Sequence, residues 1–204
     1  MARITKDPEL RRNELMDLAE QLFAEKGYDH TSPSDIIRKA GVAQGTFYYY
    51  FKSKDDIVRA IIGRYMERYE RYVAEVAVDQ RMSAPEKLRL ISDALSNLSR
   101  QKMKLRKGVC EEMTISGHED YREHVRANVL PLVQQIVRQG VDEGFFKVEY
   151  PDETAEMLVV LNQHLHDELK HITDPDLCAR KITATQAMME KALGAKKGTF
   201  RSRT

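Results

Sequence analysis

Apolar residues recur along this chain at helical rather than strand spacing. Between positions 15 and 23 they fall at i, i+3, i+4, i+7 and i+8, which puts five of them on one stripe: Leu15, Leu18, Ala19, Leu22 and Phe23. That spacing predicts an amphipathic helix over about 8–26, and Gly27 stands where a left-handed C-terminal cap is expected. Alternating runs bounded by turn residues, typical of half-buried strands, are almost absent. The pattern therefore predicts an all-α fold.

Two short helices are predicted after the first one. Ser32-Pro33-Ser34-Asp35 combines a Ser N-cap, a Pro at the first helical position and an acid that reaches back to the cap. Gly41 ends that helix, and Gln44 to Phe51 forms the next. This helix cannot continue past Lys52, because Ser53-Lys54-Asp55-Asp56 is a second capping pattern. Two short helices joined by a turn that contains glycine form a helix-turn-helix, whose second helix enters the DNA major groove.

The remaining predicted helices are longer. The helix over 53–78 would reach roughly 35 to 40 Å at about 1.5 Å per residue, enough to link two parts of a molecule. Further helices are predicted over about 83–107, 119–143 with a kink at Pro131, 152–171 and 175–193. The chain is thus divided into a helix-turn-helix domain (1–52), a helical domain (53–194, with 53–78 as its linking helix) and a mobile basic tail (195–204).

The helix from Gln44 to Phe51 has two different faces. On a helical wheel Phe47 and Phe51 share the side that faces the core, and the opposite side is polar or bare: Gln44, Gly45, Thr46, Tyr48 and Tyr49. Gln pairs with adenine, a Thr methyl group touches thymine, Tyr hydroxyls bind phosphates, and a glycine allows close approach. The alternative is a plain aromatic core helix, but three successive tyrosines cannot all face one core. The segment therefore favours DNA binding.

A family resemblance covers this region. The run from Thr31 to Asp55, with Ala19, Phe23 and Gly27-Tyr28 upstream, resembles the N-terminal domain of tetracycline-repressor-like (TetR family) transcription regulators. The resemblance implies a three-helix DNA-binding domain, a helix leading to a ligand-binding and dimerisation domain, and a homodimer whose DNA affinity a small molecule lowers. It also implies base contacts by Gln44, Gly45, Thr46 and Tyr49, and phosphate contacts by Ser32, Tyr48, Tyr50 and Lys54.

Three positions depart from the family pattern. Ala43 stands where a capping Ser or Thr is usual, which removes a cap worth about 1 kcal/mol and one phosphate contact. Pro33 replaces a branched apolar residue, but Pro is well suited to the start of a helix. Tyr50 takes the place of a frequent His. These departures leave the helix-turn-helix prediction intact and weaken individual phosphate contacts.

The helix predicted over 152–171 is apolar on two sides. A helix of this kind packs against its own core and against something else, and the resemblance implies a dimer interface formed by the last two helices of each protomer. Two recognition helices on adjacent half-sites also require a dimer. The pattern does not decide which stripe faces the partner. The one assigned to it is Met157, Val160, Leu161, His164, Glu168 and His171, and the other is Ala155, Leu158, Asn162, Leu165, Leu169 and Ile172. A metal at His164, Glu168 and His171 is the less favoured alternative.

A ligand pocket is predicted beside the other stripe of the same helix. Asn162, with His166 at the edge of the stripe, is an inward polar group whose partner a ligand would supply. A hydrogen bond from Asn162 to neighbouring backbone is an equal alternative. Tyrosines and methionines of other helices are candidates for the same cavity, against the alternative of plain core: Tyr65, Tyr69, Met103 and Met113.

Composition narrows the class of protein. The net charge of +1 argues against wholesale coating of nucleic acid or membrane, but it leaves room for a local basic surface. Cys110 and Cys178 lack the spacing of metal ligands, so we expect neither a disulfide scaffold nor a metal or other cofactor. The charged N-terminus and the lack of a long apolar run predict a cytoplasmic protein without membrane contact.

The sequence thus predicts a ligand-responsive transcriptional regulator, a homodimeric repressor that a small-molecule effector releases from a palindromic operator in double-stranded DNA. We expect no enzymatic activity, because no cluster of nucleophile, base and orienting group is visible. Two alternatives stay open. One is a helical small-molecule-binding protein or enzyme without DNA binding, and the other is a DNA-binding activator or DNA-organising factor of the same fold.

Overall fold

Every regular element in the described part of the chain is an α-helix, which confirms the predicted fold class. A computed structural model describes residues 7–106, 123–169, 172 and 174–200, without the side chains of 96–106 and 166. Its helices are α1 (Pro8–Lys26), α2 (Pro33–Ala40), α3 (Gln44–Tyr50), α4 (Lys54–Val78), α5 (Ala84–Arg106), α6 (123–128), α7 (Leu130–Asp142), α8 (Pro151–Leu169) and α9 (Pro175–Ala192).

These helices form two compact units, and α4 contributes to both. Among the described residues, unit 1 holds those up to Glu67 together with 100–106, and unit 2 holds Arg68–Ser99 and everything from 123 onward. Unit 1 therefore contains the first part of α4 as well as the helix-turn-helix. The division falls inside a continuous helix rather than at its start.

The helices α1 and α2 are capped at both ends. The α2 caps are those that the sequence predicts, whereas Gly27 after α1 has a ψ of 160° and so is not in the predicted left-handed helical conformation. The Asp7 carboxylate accepts a hydrogen bond of 2.8 Å from the amide of Glu9, and Gly27 follows α1 with a φ of 83°. At α2, Ser32 and Asp35 form a reciprocal capping box, and Gly41 ends the helix in the left-handed conformation with a φ of 62°. These caps satisfy the free backbone groups at both ends, so each helix stops at a defined residue.

Unit 1 is built around one apolar core. Because α2 and α3 are short, each buries only one residue of its own, Ile36 and Phe47 respectively. The rest of the core comes from α1, the loops and α4: Leu15, Met16, Ala19, Leu22, Phe23, Tyr28, Phe51, Ile57, Val58 and Ile61. The side of α3 away from Phe47 is consequently left without cover.

Polar contacts fix the first part of α4 to α1. Arg64 donates hydrogen bonds of 2.7 Å to Asp17 and 3.1 Å to Glu20, and the Tyr65 hydroxyl also bonds the Glu20 carboxylate. A guanidinium that bridges two carboxylates is held more tightly than a single exposed ion pair. The network sets the direction in which α4 leaves the helix-turn-helix.

Unit 2 contains a buried lysine that ties three of its elements together. Lys87 on α5 donates hydrogen bonds of 2.8 Å to the Ala77 carbonyl at the end of α4 and 2.7 Å to the side-chain oxygen of Gln139 on α7. The Gln139 amide donates to the Met82 carbonyl at 3.1 Å. A cation beside the last carbonyls of a helix also interacts favourably with the helix dipole.

The predicted helix over 119–143 is interrupted within its described part. A helical stretch ends at residue 128, and α7 begins at Leu130 after a turn at Val129. Pro131 lies in the first turn of α7, where its missing N–H group breaks no helical hydrogen bond. The helix is thus interrupted beside Pro131, where the sequence predicts a kink, although Val129 keeps helical dihedral angles and its amide donates to the Val125 carbonyl at 2.9 Å.

A mobile tail is predicted over 195–204, but its described part, residues 195–200, is packed; residues 201–204 lie outside the described residues. Phe200 is only 4% exposed, and its ring centre lies 6.5 Å from that of Phe146. The buried carboxylate of Glu190 accepts hydrogen bonds of 2.8 Å from the Gly198 amide and 3.2 Å from the Phe200 amide. Residues 195–200 are packed, because one aromatic ring and one carboxylate compensate for their low apolar content.

Candidate nucleic-acid interface and effector cavity

The helix α3 is attached to unit 1 by its two phenylalanines. Phe47 and Phe51 are both fully buried, and their ring centres lie 5.9 Å apart. The Arg12 guanidinium lies 5.4 Å from the centre of the Phe51 ring, a distance at which a cation is attracted to an aromatic face. The predicted division of α3 into a buried and an exposed face is confirmed.

The exposed face of α3 presents tyrosines in fixed positions. Tyr49 is 77% exposed and Tyr48 is 47% exposed, whereas Thr46 and Tyr50 are half-buried. The Tyr49 ring meets that of Tyr50 edge-on at 4.9 Å, and the Tyr48 ring meets that of Phe47 edge-on at 5.4 Å. Such contacts restrict ring rotation, so both tyrosines are largely pre-organised for a partner.

Gly45 lies on the same face as Tyr49, one turn before it. A Cβ atom placed on Gly45 would meet nothing within 4 Å, and the residue does not have a positive φ. Neither packing nor backbone conformation within the described part of the chain therefore requires glycine at this position. Glycine in a helix costs roughly 0.5 to 1 kcal/mol relative to alanine. The bare backbone is thus suited to a partner that approaches α3 closely.

The start of α3 lacks a side-chain cap, as Ala43 predicts. No side-chain hydrogen bond caps α3, and the helix begins with a backbone bond of 2.9 Å from the Thr46 amide to the Ala43 carbonyl. Gln44 is exposed beside these first-turn amides. The free amides and the Gln44 side chain are hydrogen-bonding groups that an approaching molecule can satisfy.

The hydroxyl of Ser32 is engaged in the cap of α2. It donates a hydrogen bond of 2.7 Å to Asp35 and accepts one of 3.2 Å from the Asp35 amide. The same hydrogen bonds, together with Lys26 and Arg38, lower the pKa of the Asp35 carboxyl. Ser32 therefore stands beside a carboxylate, and a phosphate contact from Ser32 would have to share its hydroxyl with the cap.

Lys54, at the start of α4, is held against Tyr28. Its ammonium group donates a hydrogen bond of 2.8 Å to the Tyr28 carbonyl and lies 3.8 Å from the ring centre. Partial burial lowers the pKa of Lys54, and the nearby Asp29 opposes that shift. The ammonium is thus fixed in place, with donors left for another acceptor.

Two further basic side chains flank α3 and were missed as candidates. Lys52 directly follows the aromatic helix and is exposed, and Arg12 lies over Phe51. Lys52 could have been predicted as a DNA contact, because it lies next to the predicted recognition helix in the sequence. Arg12 is brought there only by the fold, because about forty residues of sequence separate it from Phe51.

A small apolar cavity lies within unit 2, between α5, α6, α7, α8, α9 and the part of α4 that belongs to this unit. Its volume is about 40 Å³, far below the roughly 300 to 1,000 Å³ of a typical ligand site. No charged side chain lines it among the described residues, and most of its wall is aliphatic: Tyr69, Leu88, Ile91, Ser92, Leu95, Val125, Val129, Val133, Leu158, Val159, Asn162, Gln163 and Met189. A ligand would have to expand it.

The cavity contains two of the six residues predicted for a ligand site. Asn162 and Tyr69 line it, and the Ser92 hydroxyl lies 3.4 Å from the Asn162 side-chain oxygen, a long hydrogen bond. Tyr65 does not line it, because its hydroxyl is bonded to Glu20 in unit 1. Three candidates lie outside the described side chains: Met103, Met113 and His166.

Helices α8 and α9 expose apolar side chains of unit 2. On α8, Met157 and Val160 are 60% and 54% exposed, His164 is exposed, and Leu161 is half-buried. Glu168 accepts a hydrogen bond of 2.6 Å from Lys181, and His171 lies outside the described residues. Exposed apolar side chains on neighbouring helices are typical of a protein–protein contact.

The exposed apolar residues of α9 were not among the predicted interface residues. They are Ile182 and Met188, the latter 56% exposed. Met188 and Met189 are adjacent, and only Met189 is buried. The sequence does not say which of two neighbouring methionines points outward, so packing against α8 was needed to separate them.

The described residues contain neither a metal-binding cluster nor a helix that could span a membrane. There, no three His, Cys, Asp or Glu side chains are grouped so that they would hold a metal ion. No helix in that part of the chain is long and apolar enough to cross a membrane.

Two family models match the chain. Residues 15–61 match the model of bacterial regulatory proteins of the tetR family, and residues 118–188 match the model of tetracyclin repressor-like C-terminal domains. The first match covers α1 from residue 15 onward, α2, α3 and the start of α4, and so includes every residue predicted to contact DNA.

Individual proteins show the same likeness. The chain is 39% identical over 82 residues to the fatty acid metabolism regulator protein of Bacillus subtilis, of which it spans 40%, less than half. It is 28% identical to the HTH-type transcriptional repressor KstR2 of Rhodococcus jostii, over 71% of this chain and 72% of that protein. A solved complex of SmeT with triclosan has a TM-score of 0.64 and 22% identity, and covers 96% of both chains. SmeT represses a multidrug efflux pump of Stenotrophomonas maltophilia.

Proposed function

We propose that this chain, which belongs to the tetR family of bacterial regulatory proteins, represses transcription as a homodimer bound to a palindromic operator. One observation carries the proposal: α3 is fixed by two buried phenylalanines while its opposite face offers Gln44, Gly45 and Tyr49. A helix anchored on one side and bare on the other is suited to the major groove.

The residues of this surface divide into two roles. Base edges are read by the side of α3 centred on Gly45 and Tyr49, together with Gln44 and Thr46. Phosphates are bound by Ser32, Tyr48, Tyr50 and Lys54, which lie on α3 or at the starts of α2 and α4. Phosphate contacts position the helix and base contacts provide the sequence preference.

Dimerisation uses the exposed apolar side chains of α8 and α9. Burying Met157, Val160, Ile182 and Met188 against a second copy would remove them from water. The predicted polar members, His164 and Glu168, lie on the same helix, and Lys181 of α9 already neutralises Glu168. A closed twofold dimer presents two α3 helices to two half-sites, which matches a palindromic operator.

The effector is an uncharged, largely apolar small molecule that enters the cavity of unit 2. Aliphatic walls favour apolar groups, and Asn162 and Ser92 provide a hydrogen-bonding corner. Tyr69 lines the cavity and belongs to α4, the helix that continues into unit 1. An effector that expands the cavity would favour another position of α4, and it releases DNA only through its different affinity for the two arrangements.

The DNA-binding proposal is tested by selecting genomic fragments bound by the protein and measuring affinity against salt. Repeated phosphate contacts predict a steep loss of affinity as salt rises. Tyr49→Ala should weaken selective binding, whereas Tyr150→Ala, which removes an exposed tyrosine of unit 2, should not. Absence of duplex binding at low salt would instead favour a helical small-molecule-binding protein.

The effector proposal has its own test. Uncharged apolar compounds are screened for a rise in the midpoint of thermal unfolding, and those that raise it are titrated against the protein–operator complex. The cavity has the proposed role if the compound releases operator from the wild type but not from Asn162→Leu, and if both proteins bind operator equally tightly without the compound. A compound that binds the cavity without changing operator affinity would refute the coupling between effector and DNA binding. If the protein activates transcription in a purified system, it is an activator and not a repressor.

A further inference from the structure

The recognition face of α3 contains no charged side chain. Its seven residues, Gln44–Tyr50, are all described, and none is Arg, Lys, His, Asp or Glu. We propose that α3 therefore selects A·T base pairs, and that the ring of Tyr49 does so by packing against the C5-methyl group of thymine. This inference rests on the proposed function, because it specifies what the DNA-binding face reads.

The missing charges limit which bases α3 can select. Guanine is read most often by Arg or Lys, which donate to its O6 and N7 atoms, and cytosine by carboxylates that accept from its N4 amino group. In an A·T pair, adenine offers N7 and N6 to an amide side chain, and thymine offers a methyl group to an apolar surface. Gln44 provides the amide, and Tyr49 provides the surface.

The geometry of Tyr49 suits contact with a methyl group. The residue is 77% exposed, more than any other exposed large hydrophobic residue in the described part of the chain. The Tyr50 ring meets it edge-on at 4.9 Å with an interplanar angle of 88°, which restricts its rotation. A ring held by its neighbour loses little conformational freedom when it contacts DNA.

Gly45 allows Tyr49 to reach the bases. The two residues are four positions apart and so lie on one side of the helix. Because Gly45 has no side chain, and a Cβ placed there would meet nothing within 4 Å beyond its chain neighbours and the backbone of α3, the backbone can approach the groove floor at this point. The methyl group of Thr46, beside Gly45, adds a second apolar contact on the same approach.

The experiment replaces thymine by deoxyuridine, one position at a time, in the operator selected for the full-length protein. This change removes only the C5-methyl group and leaves base pairing intact. Loss of one buried methyl contact should weaken wild-type binding about fourfold at the position that Tyr49 reads, which corresponds to about 0.8 kcal/mol. Positions outside the half-sites serve as internal controls.

Two variants assign the effect to Tyr49. Tyr49→Phe keeps the ring and removes the hydroxyl, so it should retain both operator binding and the sensitivity to deoxyuridine. Tyr49→Ala should bind more weakly and lose the sensitivity at that single position, so that both operators bind equally. Thermal unfolding of each variant confirms that the exposed substitution leaves the fold intact.

Two results would overturn the inference. One is wild-type binding that is indifferent to deoxyuridine at every position, and the other is an unchanged sensitivity in Tyr49→Ala. In either case specific binding by the wild type would still support a DNA-binding regulator, so failure of the inference is distinguishable from failure of the proposed function. A Tyr49→Phe variant as weak as Tyr49→Ala would show that the hydroxyl, and not the ring, makes the contact.

Discussion

The ammonium group of Lys54 lies 3.8 Å from the centre of the Tyr28 ring and donates a 2.8 Å hydrogen bond to the Tyr28 carbonyl. The contact joins the first residue of α4 to the loop between α1 and α2. The contact holds the Lys54 ammonium in place shortly after the end of α3 in the sequence. Lys54 therefore has two separable roles. One is to hold α4 in place, and the other is to bind a DNA phosphate.

Lys54→Met separates these two roles. If the ammonium binds a phosphate, the variant should bind operator more weakly, and the slope of log K against log salt should fall in magnitude by about two, one for each protomer of the dimer. If Lys54 acts only by holding α4, affinity falls while the slope stays unchanged. Binding isotherms at four or five salt concentrations measure the slope, and Lys147→Met, which removes an exposed lysine of unit 2, is the matched control.

Gly45→Ala should stabilise the protein and weaken DNA binding. Alanine restores helix propensity worth up to roughly 0.5 to 1 kcal/mol, and its methyl group meets no protein atom within 4 Å. The same methyl group would hold α3 away from the bases, so operator affinity should fall about tenfold or more, equivalent to at least about 1.4 kcal/mol. Denaturant unfolding and operator titration measure the two effects.

Gly63→Ala is the matched control for that substitution. Gly63 lies in α4, and a Cβ atom placed there also meets nothing within 4 Å. It should therefore gain stability in the same way and keep its operator affinity. If Gly45→Ala binds operator as tightly as the wild type, the glycine is not needed for the close approach of α3 to DNA.

Val160→Lys should dissociate the homodimer. Val160 on α8 is 54% exposed and is a predicted interface residue, so a lysine there would place a charge in the apolar contact between protomers. Val78→Lys changes a valine of α4 that is 59% exposed, and it should leave the dimer intact. Sedimentation at several protein concentrations reports both outcomes, and a dimeric Val160→Lys variant would move the interface elsewhere.

Local rules account for most of what the sequence predicts correctly. The spacing of Phe47 and Phe51 along α3 separates its buried face from its exposed face, and the missing cap at Ala43 follows from residue type alone. These features depend on neighbours within two helical turns. They therefore need no knowledge of how the helices pack.

Contacts between distant residues could not be predicted in the same way. Lys54 donates a hydrogen bond to a carbonyl 26 positions away. Residues 195–200 are ordered by hydrogen bonds to Glu190 and by the contact between Phe200 and Phe146. The composition of residues 195–200, with its charges and low hydropathy, predicts mobility. Composition does not reveal where one aromatic ring packs. Long-range packing decided both outcomes.

Lys87→Met should destabilise unit 2 although methionine is apolar and of similar length. The variant would leave the carbonyl of Ala77 and the side-chain oxygen of Gln139 without the donor that now lies 2.8 and 2.7 Å from them. A buried acceptor left unsatisfied costs about 1 to 3 kcal/mol, which exceeds the gain from removing one charge that is already well solvated by two oxygens. We expect a loss of about 2 kcal/mol in the free energy of unfolding, measured in urea, with Lys147→Met as the control that changes it little.

A double-mutant cycle with Gln139→Leu tests the reason for that loss. If the unpaired Gln139 oxygen contributes to it, the Lys87→Met substitution should cost less in a Gln139→Leu background, giving a coupling energy of about 1 kcal/mol between the two positions. Because Gln139 also donates to the Met82 carbonyl, only the coupling energy, and not the single Gln139→Leu effect, isolates the pair.

A Lys87→Met variant at least as stable as the wild type would mean that burying the ammonium costs more than its two hydrogen bonds return, as in some buried ion pairs. The lysine would then hold the end of α4 at a net cost in stability, and operator titration of the same variant would show whether that position of α4 matters for DNA binding.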